Sequence, residues 1–306
     1  MYPSKKSMVL KAFDSSELSA ISRLFSASVI QEIARKGSSP LFARLVKESS
    51  LLDSIKLTDP IKTLFKNAFS ILRKKDNRHE YIYKAAIMHK VLLGVHSLQT
   101  ASMLSEFRVD KCRADTVILN GTSTVYEIKS ERDNLEKLEK QIAAYRNIFA
   151  SVNVITGENH LDAVAKIVPD DVGILLLTDR HQIREIKESK DLPCRTKPEV
   201  IFDSIQLNEA KKILDLMGIE TPAFPNTQAY QVLRNFFITM DPENTHSAMV
   251  KVLKNTRSLL PLDNFIQKLP SSLQAAAITT PLRKQDRERL INVLDTPVYD
   301  AITNWN

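Results

Sequence analysis

The chain has 306 residues, of which 43% are hydrophobic, enough to bury a full core in one large domain or two to three modest ones. Its two cysteines, Cys112 and Cys194, stand far apart and outside any metal-ligand spacing, which excludes a disulfide framework and a structural zinc site as organising principles. The formal charge of +7 is uneven: residues 1–79 hold 15 Lys/Arg against 7 Asp/Glu, whereas residues 80–204 hold 17 against 19. A basic region beside a near-neutral, carboxylate-rich one suits a phosphodiester enzyme, although lysine-rich helix faces are often only solvated. The start carries no apolar run of signal-peptide length, and stretches such as GILLL are strand-sized, so a cytoplasmic location is expected.

Segment 1–75 reads as a basic helical region broken near Gly37–Pro40 and at Asp59-Pro60, with Leu18, Ile21, Leu24 and Phe25 forming an apolar stripe. Residues 79–98 continue as a helix, with Tyr83, Ile87, Val91 and Val95 repeating along one side. The period changes after Glu106. CRADTVILN and TSTVYEIKS read as two β-runs joined at Asn120-Gly121, a hairpin signal.

Residues 131–150 return to helical spacing, with Leu135, Leu138, Ile142, Tyr145 and Phe149 on one side. Strand-like 151–156, a helix near 159–168, and strand-like 172–178 and 183–187 follow. The expected fold is therefore α/β, with helices crossing between strands of a central sheet, and three segments are expected: a helical region 1–75, a core 76–204 and a helical region 205–306.

Chemistry concentrates at Glu127-Ile128-Lys129. In a strand the first and third side chains share a face while Ile128 turns into packing. Asp115 lies on the partner strand of the hairpin, and two carboxylates brought together call for a hard divalent cation such as Mg²⁺ or Mn²⁺, with Lys129 supplying positive charge. Register decides whether they meet. A two-residue Asn120-Gly121 turn pairs Asp115 with Tyr126; a three-residue loop through Thr122 pairs it with Glu127. The longer loop is predicted, with Gly121 at positive φ.

Glu-x-Lys also occurs at Glu185–Lys187, with Asp171 upstream, but the stretch after it cannot form a long amphipathic helix. Glu127–Lys129 is followed by one, and Gln141 and Tyr145 project from the same side of it. The histidines at 79, 89, 96, 160, 181 and 246 show no ligand spacing. There is no P-loop, GxSxG or GxGxxG, so ATP hydrolysis, serine esterase chemistry and dinucleotide binding lack support.

Across roughly residues 80–190 the sequence resembles the PD-(D/E)xK nuclease superfamily, on Asp115, Glu127, Lys129 and Gln141, with Gln141 and Tyr145 similar to the QxxxY element of its RecB-like branch. Arg113-Ala114 stands where the motif's proline would be. The resemblance implies a restriction-endonuclease-like core, a central mixed sheet flanked by helices, which hydrolyses phosphodiester bonds with Mg²⁺ or Mn²⁺. In it Asp115 and Glu127 would hold metal, Lys129 would assist the attacking water and Gln141 would steady it.

Glu80 occupies the place of a further acidic ligand in the Holliday-junction resolvases of this superfamily, and Glu106 ranks below it. Arg113, Ser130 and Tyr145 are candidates for contact with nucleic acid, DNA before RNA. The chain is also similar over most of its length to an uncharacterised bacterial and phage family. Two readings stay open beside the nuclease: a module that binds nucleic acid without turnover, and a protein-interaction scaffold. A homodimer or a larger assembly is compatible with each.

Overall fold

In the computed structural model, residues 13–305 are described. The described residues form two compact units, one made of those up to Leu72 together with those from Leu282 on, the other of Arg73–Pro281.

The first unit is helical. Helix α1 (Ser15–Arg23) begins with a capping box between Asp14 and Glu17, and α2 (Ala27–Lys36) begins at Ser26 and ends at Gly37, whose φ of 77° suits a residue without Cβ. Ser39 caps α3 (Pro40–Glu48), with Pro40 in the first turn, and α4 (Ile61–Leu72) follows. The stripe Leu18, Ile21, Leu24 and Phe25 is buried as its spacing requires.

The C-terminal segment closes this unit. Ile61 and Lys62 donate backbone N–H groups to Thr296 and Leu294, while Val298 and Tyr299 donate to Asp59 and Leu57, each at 2.9 Å.

In the second unit, α5 (Glu80–Ile87) runs into a π-helical turn (Met88–Leu92) and a short α6 (Leu93–Val95). This alters the expected uninterrupted helix. The extra residue in the π-turn rotates later positions off the core face, so Tyr83 and Ile87 are buried but Val95 is 71% exposed. A six-stranded mixed sheet follows in chain order: β1 (Ser102–Val109), β2 (Cys112–Leu119), β3 (Ser123–Lys129), β4 (Ser151–Thr156), β5 (Gly173–Leu177) and β6 (Ile183–Lys187). β1–β3 form an antiparallel meander, β3, β4 and β5 are parallel, and β6 returns antiparallel to β5.

The parallel pairs need crossovers, supplied by α7 (Leu138–Tyr145) and α8 (Glu158–Ile167). The fold is thus α/β with a central mixed sheet flanked by helices. Strand β1 lies ahead of the first β-run that the sequence pattern shows; its alternation is broken at Glu106, where φ is 54°, so Leu104 and Phe107 both enter the core. Helix α7 is shorter than the 131–150 pattern suggests, because Asp133 accepts both the backbone N–H and the hydroxyl of Ser130 and holds the preceding stretch in a turn.

The boundary expected at 204/205 falls inside this unit. Helices α9 (Pro198–Ser204), α10 (Leu207–Leu216), α11 (Ala229–Ile238) and α12 (Pro242–Thr256) contribute Phe202, Ile213, Leu214, Phe237 and Leu253 to the same core as Phe107, Ile142 and Phe149. Residues from Leu282 onward belong to the other unit, so the C-terminal region is divided. Among the described residues no helix is long and apolar enough to cross a membrane.

Candidate metal and nucleic-acid site

The β2–β3 hairpin sets the register. Leu119 pairs with Ser123 and Thr116 with Tyr126, around the three-residue loop Asn120-Gly121-Thr122, with Gly121 at φ 106°. This is the predicted longer loop; the paired ladder ends at Thr116 and Tyr126, and the same register continued by one position would set Asp115 against Glu127, where Asp115 instead accepts the backbone N–H of Ile128. On the other side, Ser105 pairs with Thr116 and Phe107 with Ala114, leaving Glu106 facing Asp115. Three carboxylates thus run across three adjacent strands.

Two distinct clusters result. The first is buried. Glu127 and Lys129, both on the α7 side of β3, are 1% and 7% exposed, and Lys129 Nζ donates to Glu127 Oε1 at 2.8 Å and to Gln141 Oε1 at 2.9 Å. Gln141 Nε2 donates to the same Glu127 oxygen at 2.5 Å. Tyr145 Oη lies 2.9 Å from Glu127 Oε2 and 2.7 Å from the carbonyl oxygen of Arg113. Burial pushes the Glu127 carboxyl up, against the pull of Lys129, Tyr145 and Gln141.

The second cluster faces solvent. Glu80, at the start of α5, joins Glu106 and Asp115, with one carboxylate oxygen from each lying within 4.8 Å of the others. Asp115 Oδ2 accepts the backbone N–H of Ile128 at 2.7 Å, which fixes its orientation. Burial first, then the charges of Glu127 and Glu80, push its carboxyl up to about 8. Lys84, one turn beyond Glu80, donates to Glu80 at 2.5 Å and Glu106 at 2.7 Å. Burial opposes the charge on Lys84, but the two carboxylates outweigh it and hold its pKa above the ordinary lysine range.

An all-oxygen set of three converging carboxylates fits a hard divalent cation such as Mg²⁺ or Mn²⁺ and not a thiophilic metal. Glu80 and Asp115 therefore meet as expected. Glu127, expected beside them as a ligand, has both oxygens engaged in the buried cluster, and Glu106 converges with the other two acids instead. Sequence reasoning underweighted Glu106 and missed Lys84. The signals were present: Glu106 stands opposite Asp115 once β1 is recognised, and Glu80–Lys84 has i,i+4 spacing.

Two of the three expected nucleic-acid contacts are corrected. Tyr145 is fully buried, and Ser130, at 3% exposure, has its hydroxyl and N–H committed to Asp133, so neither presents itself to a polymer. Arg113 is exposed and is the register partner of exposed Arg108, so two basic side chains stand on adjacent strands, Arg113 two residues before Asp115. The alternative Glu185–Lys187 pair is not assembled: Asp171 is held by Arg146 at 2.9 Å and by Arg195, and Lys187 donates to the carbonyl of Pro169.

Protein cII of Enterobacteria phage P4 is 28% identical over 126 residues, 40% of this chain and 48% of that protein, so the chain spans about half the length of this curated relative. A solved structure of a protein of unknown function from Silicibacter pomeroyi aligns over 41% of this chain and 86% of its own, at 18% identity and a TM-score of 0.26. The sequence profile for bacteriophage P4 protein cII matches residues 73–280, well over half of the chain and nearly the whole sheet-containing unit, and the chain belongs to that family.

Proposed function

We propose that this protein is a metal-dependent nuclease of PD-(D/E)xK type, acting on DNA with Mg²⁺ or Mn²⁺. The observation that carries the reading is the line Glu106–Asp115–Glu127 across β1–β3, with Glu80 closing one end and Lys129 and Gln141 the other. Glu80, Glu106 and Asp115 would hold the cation. Bound there, it would supply Lewis acidity toward a phosphate oxygen and make a water more acidic.

The chain's own groups do the rest. Glu127, Gln141 and Tyr145 lock Lys129 in place, and two of its three ammonium protons are already engaged, leaving one donor for charge developing on the phosphoryl group. Arg108 and Arg113 offer fixed positive charge for the backbone of the polymer. Glu80 and Glu106 must release Lys84 when the cation binds.

That last contact favours a second reading, a nucleic-acid-binding module in which Lys84 occupies the place of the cation and no bond is cut. Purified protein incubated with single-stranded, duplex and branched DNA and with RNA, in Mg²⁺, Mn²⁺ or EDTA, separates the two. Metal-dependent cleavage that EDTA abolishes supports the nuclease. Salt-sensitive binding unaffected by EDTA, with all substrates intact, supports the binding module.

A further inference from the structure

On the sheet face opposite α7, Tyr126, Asn153 and Gly173 are register partners across β3, β4 and β5, and Thr124 lies on the same face two positions before Tyr126. They lie under or beside a cavity of about 420 Å³, within the range of small-molecule sites. Thr124, Tyr126 and Asn153 line its floor; Val91, Leu175 and Ile183 supply apolar surface; Lys90, Glu185 and Glu188 stand at the rim. Lys90 and Val91 come from the π-helical turn, an irregularity frequent at functional sites.

Three features mark this as a built site. Asn153 is 6% and Tyr126 8% exposed, and among the described residues neither the amide nor the phenol makes a side-chain hydrogen bond to the protein, while neither is sealed away from solvent. With no protein partner, their donors and acceptors are left to water or to a molecule that enters the cavity and replaces it. The amide also depends on a particular glycine: a Cβ on Gly173 would lie 2.0 Å from Asn153 Oδ1 and 3.0 Å from Ser189. Finally, burial raises the Tyr126 phenol to about 12, so it stays a neutral donor.

The chemistry of the lining selects the ligand. The floor carries no charge, and the rim has two carboxylates against one ammonium, which disfavours phosphate. A carboxamide presents one donor and one acceptor side by side, the complement of the paired donor and acceptor on a base edge. The aliphatic side chains of Val91, Leu175 and Ile183 offer apolar contact to the faces of a heteroaromatic ring. We propose that this cavity binds an uncharged nucleobase or nucleoside, with Asn153 reading the base edge and Tyr126 and Thr124 bonding its remaining polar atoms. This assignment is independent of the nuclease reading, since the two sites lie on opposite faces of the sheet.

The test is isothermal titration of the full-length protein with adenosine, guanosine, cytidine and uridine, with the free bases, and with the matching 5′-monophosphates. At least one base or nucleoside is expected to bind with Kd of roughly 10–500 µM. Asn153→Ala should weaken it at least tenfold, and the near-isosteric Tyr126→Phe severalfold, with melting temperatures close to that of the parent. Asp115→Asn should leave it unchanged, and the monophosphate should bind more weakly than its nucleoside. Failure of every base and nucleoside to bind at millimolar concentration, equal binding by Tyr126→Phe and the parent, loss of binding in Asp115→Asn, or a monophosphate that binds more tightly would each overturn the assignment.

Discussion

Asp115 Oδ2 accepts the backbone N–H of Ile128 at 2.7 Å, so a side chain from β2 takes a bond that a strand carbonyl would otherwise fill. The paired ladder of β2 and β3 stops at Thr116 and Tyr126, and the carboxylate sits where the two strands part. This bond orients Asp115 toward Glu80 and Glu106 while its neighbour Glu127 is turned into the contacts under α7.

The elevated Asp115 carboxyl makes the metal-free fold pH-sensitive. Its pKa is raised from the ordinary carboxylate value to about 8, so between roughly pH 4 and pH 8 the folded state binds more protons than the unfolded one. The contribution of this group to stability therefore falls as pH rises through that window. Asp115→Asn, which keeps the acceptor for Ile128, should melt higher than the parent at pH 8 in EDTA and about equally at pH 4, measured by calorimetry. A cation that holds Asp115 ionised should displace a proton near neutrality, seen as binding heats that vary with the ionisation enthalpy of the buffer.

Lys129 and Glu127 form a buried pair, and removing one partner leaves an uncompensated charge. Lys129→Met should cost about 3–5 kcal/mol in urea unfolding, and Glu127→Gln combined with Lys129→Met appreciably less. Loss of activity in Lys129→Ala alone is thus a poor proof of catalysis, because the fold itself is at stake.

Glu106 holds φ at 54°, which favours glycine. Glu106→Gly should melt at or above the parent temperature while weakening Mn²⁺ binding at least tenfold. Glu106→Gln should show the same loss of metal without any gain in stability. Equal Mn²⁺ affinity in both variants and the parent would remove Glu106 from the site.

Gly157 begins α8 where the chain leaves β4, and a Cβ there would lie 2.6 Å from Glu131 Oε1 and 2.9 Å from Tyr83 Oη. Gly157→Ala should destabilise the protein by roughly 1–3 kcal/mol, because Tyr83 and Glu131 are hydrogen-bonded to each other and have little freedom to yield. Chemical denaturation reads this directly.

Much of the sheet-containing unit is legible in the sequence because its signals are local. The Asn120-Gly121 turn, the alternation of TVYEIK and the stripe from Leu138 to Phe149 each fix an element without long-range information. The loop length then follows from requiring Asp115 and Glu127 on one face. What was hidden depends on tertiary context. The kink at Glu106 disguises β1, the π-turn shifts the register after Ile87, and the membership of Phe202, Ile213 and Leu253 in the sheet's core is invisible to periodicity. Burial likewise reassigns Tyr145 and Ser130 from polymer contact to support, since nothing in a helical or turn pattern tells which polar group faces inward.

The most direct test of the central claim is cleavage of labelled DNA in Mn²⁺ by the parent protein, Asp115→Asn and Glu80→Gln, prepared identically and matched by melting temperature. Cleavage by the parent, abolished by EDTA, is expected, with a loss of at least a hundredfold in Asp115→Asn and a smaller loss in Glu80→Gln. Equal cleavage by all three proteins, or intact DNA in every reaction, would contradict the claim.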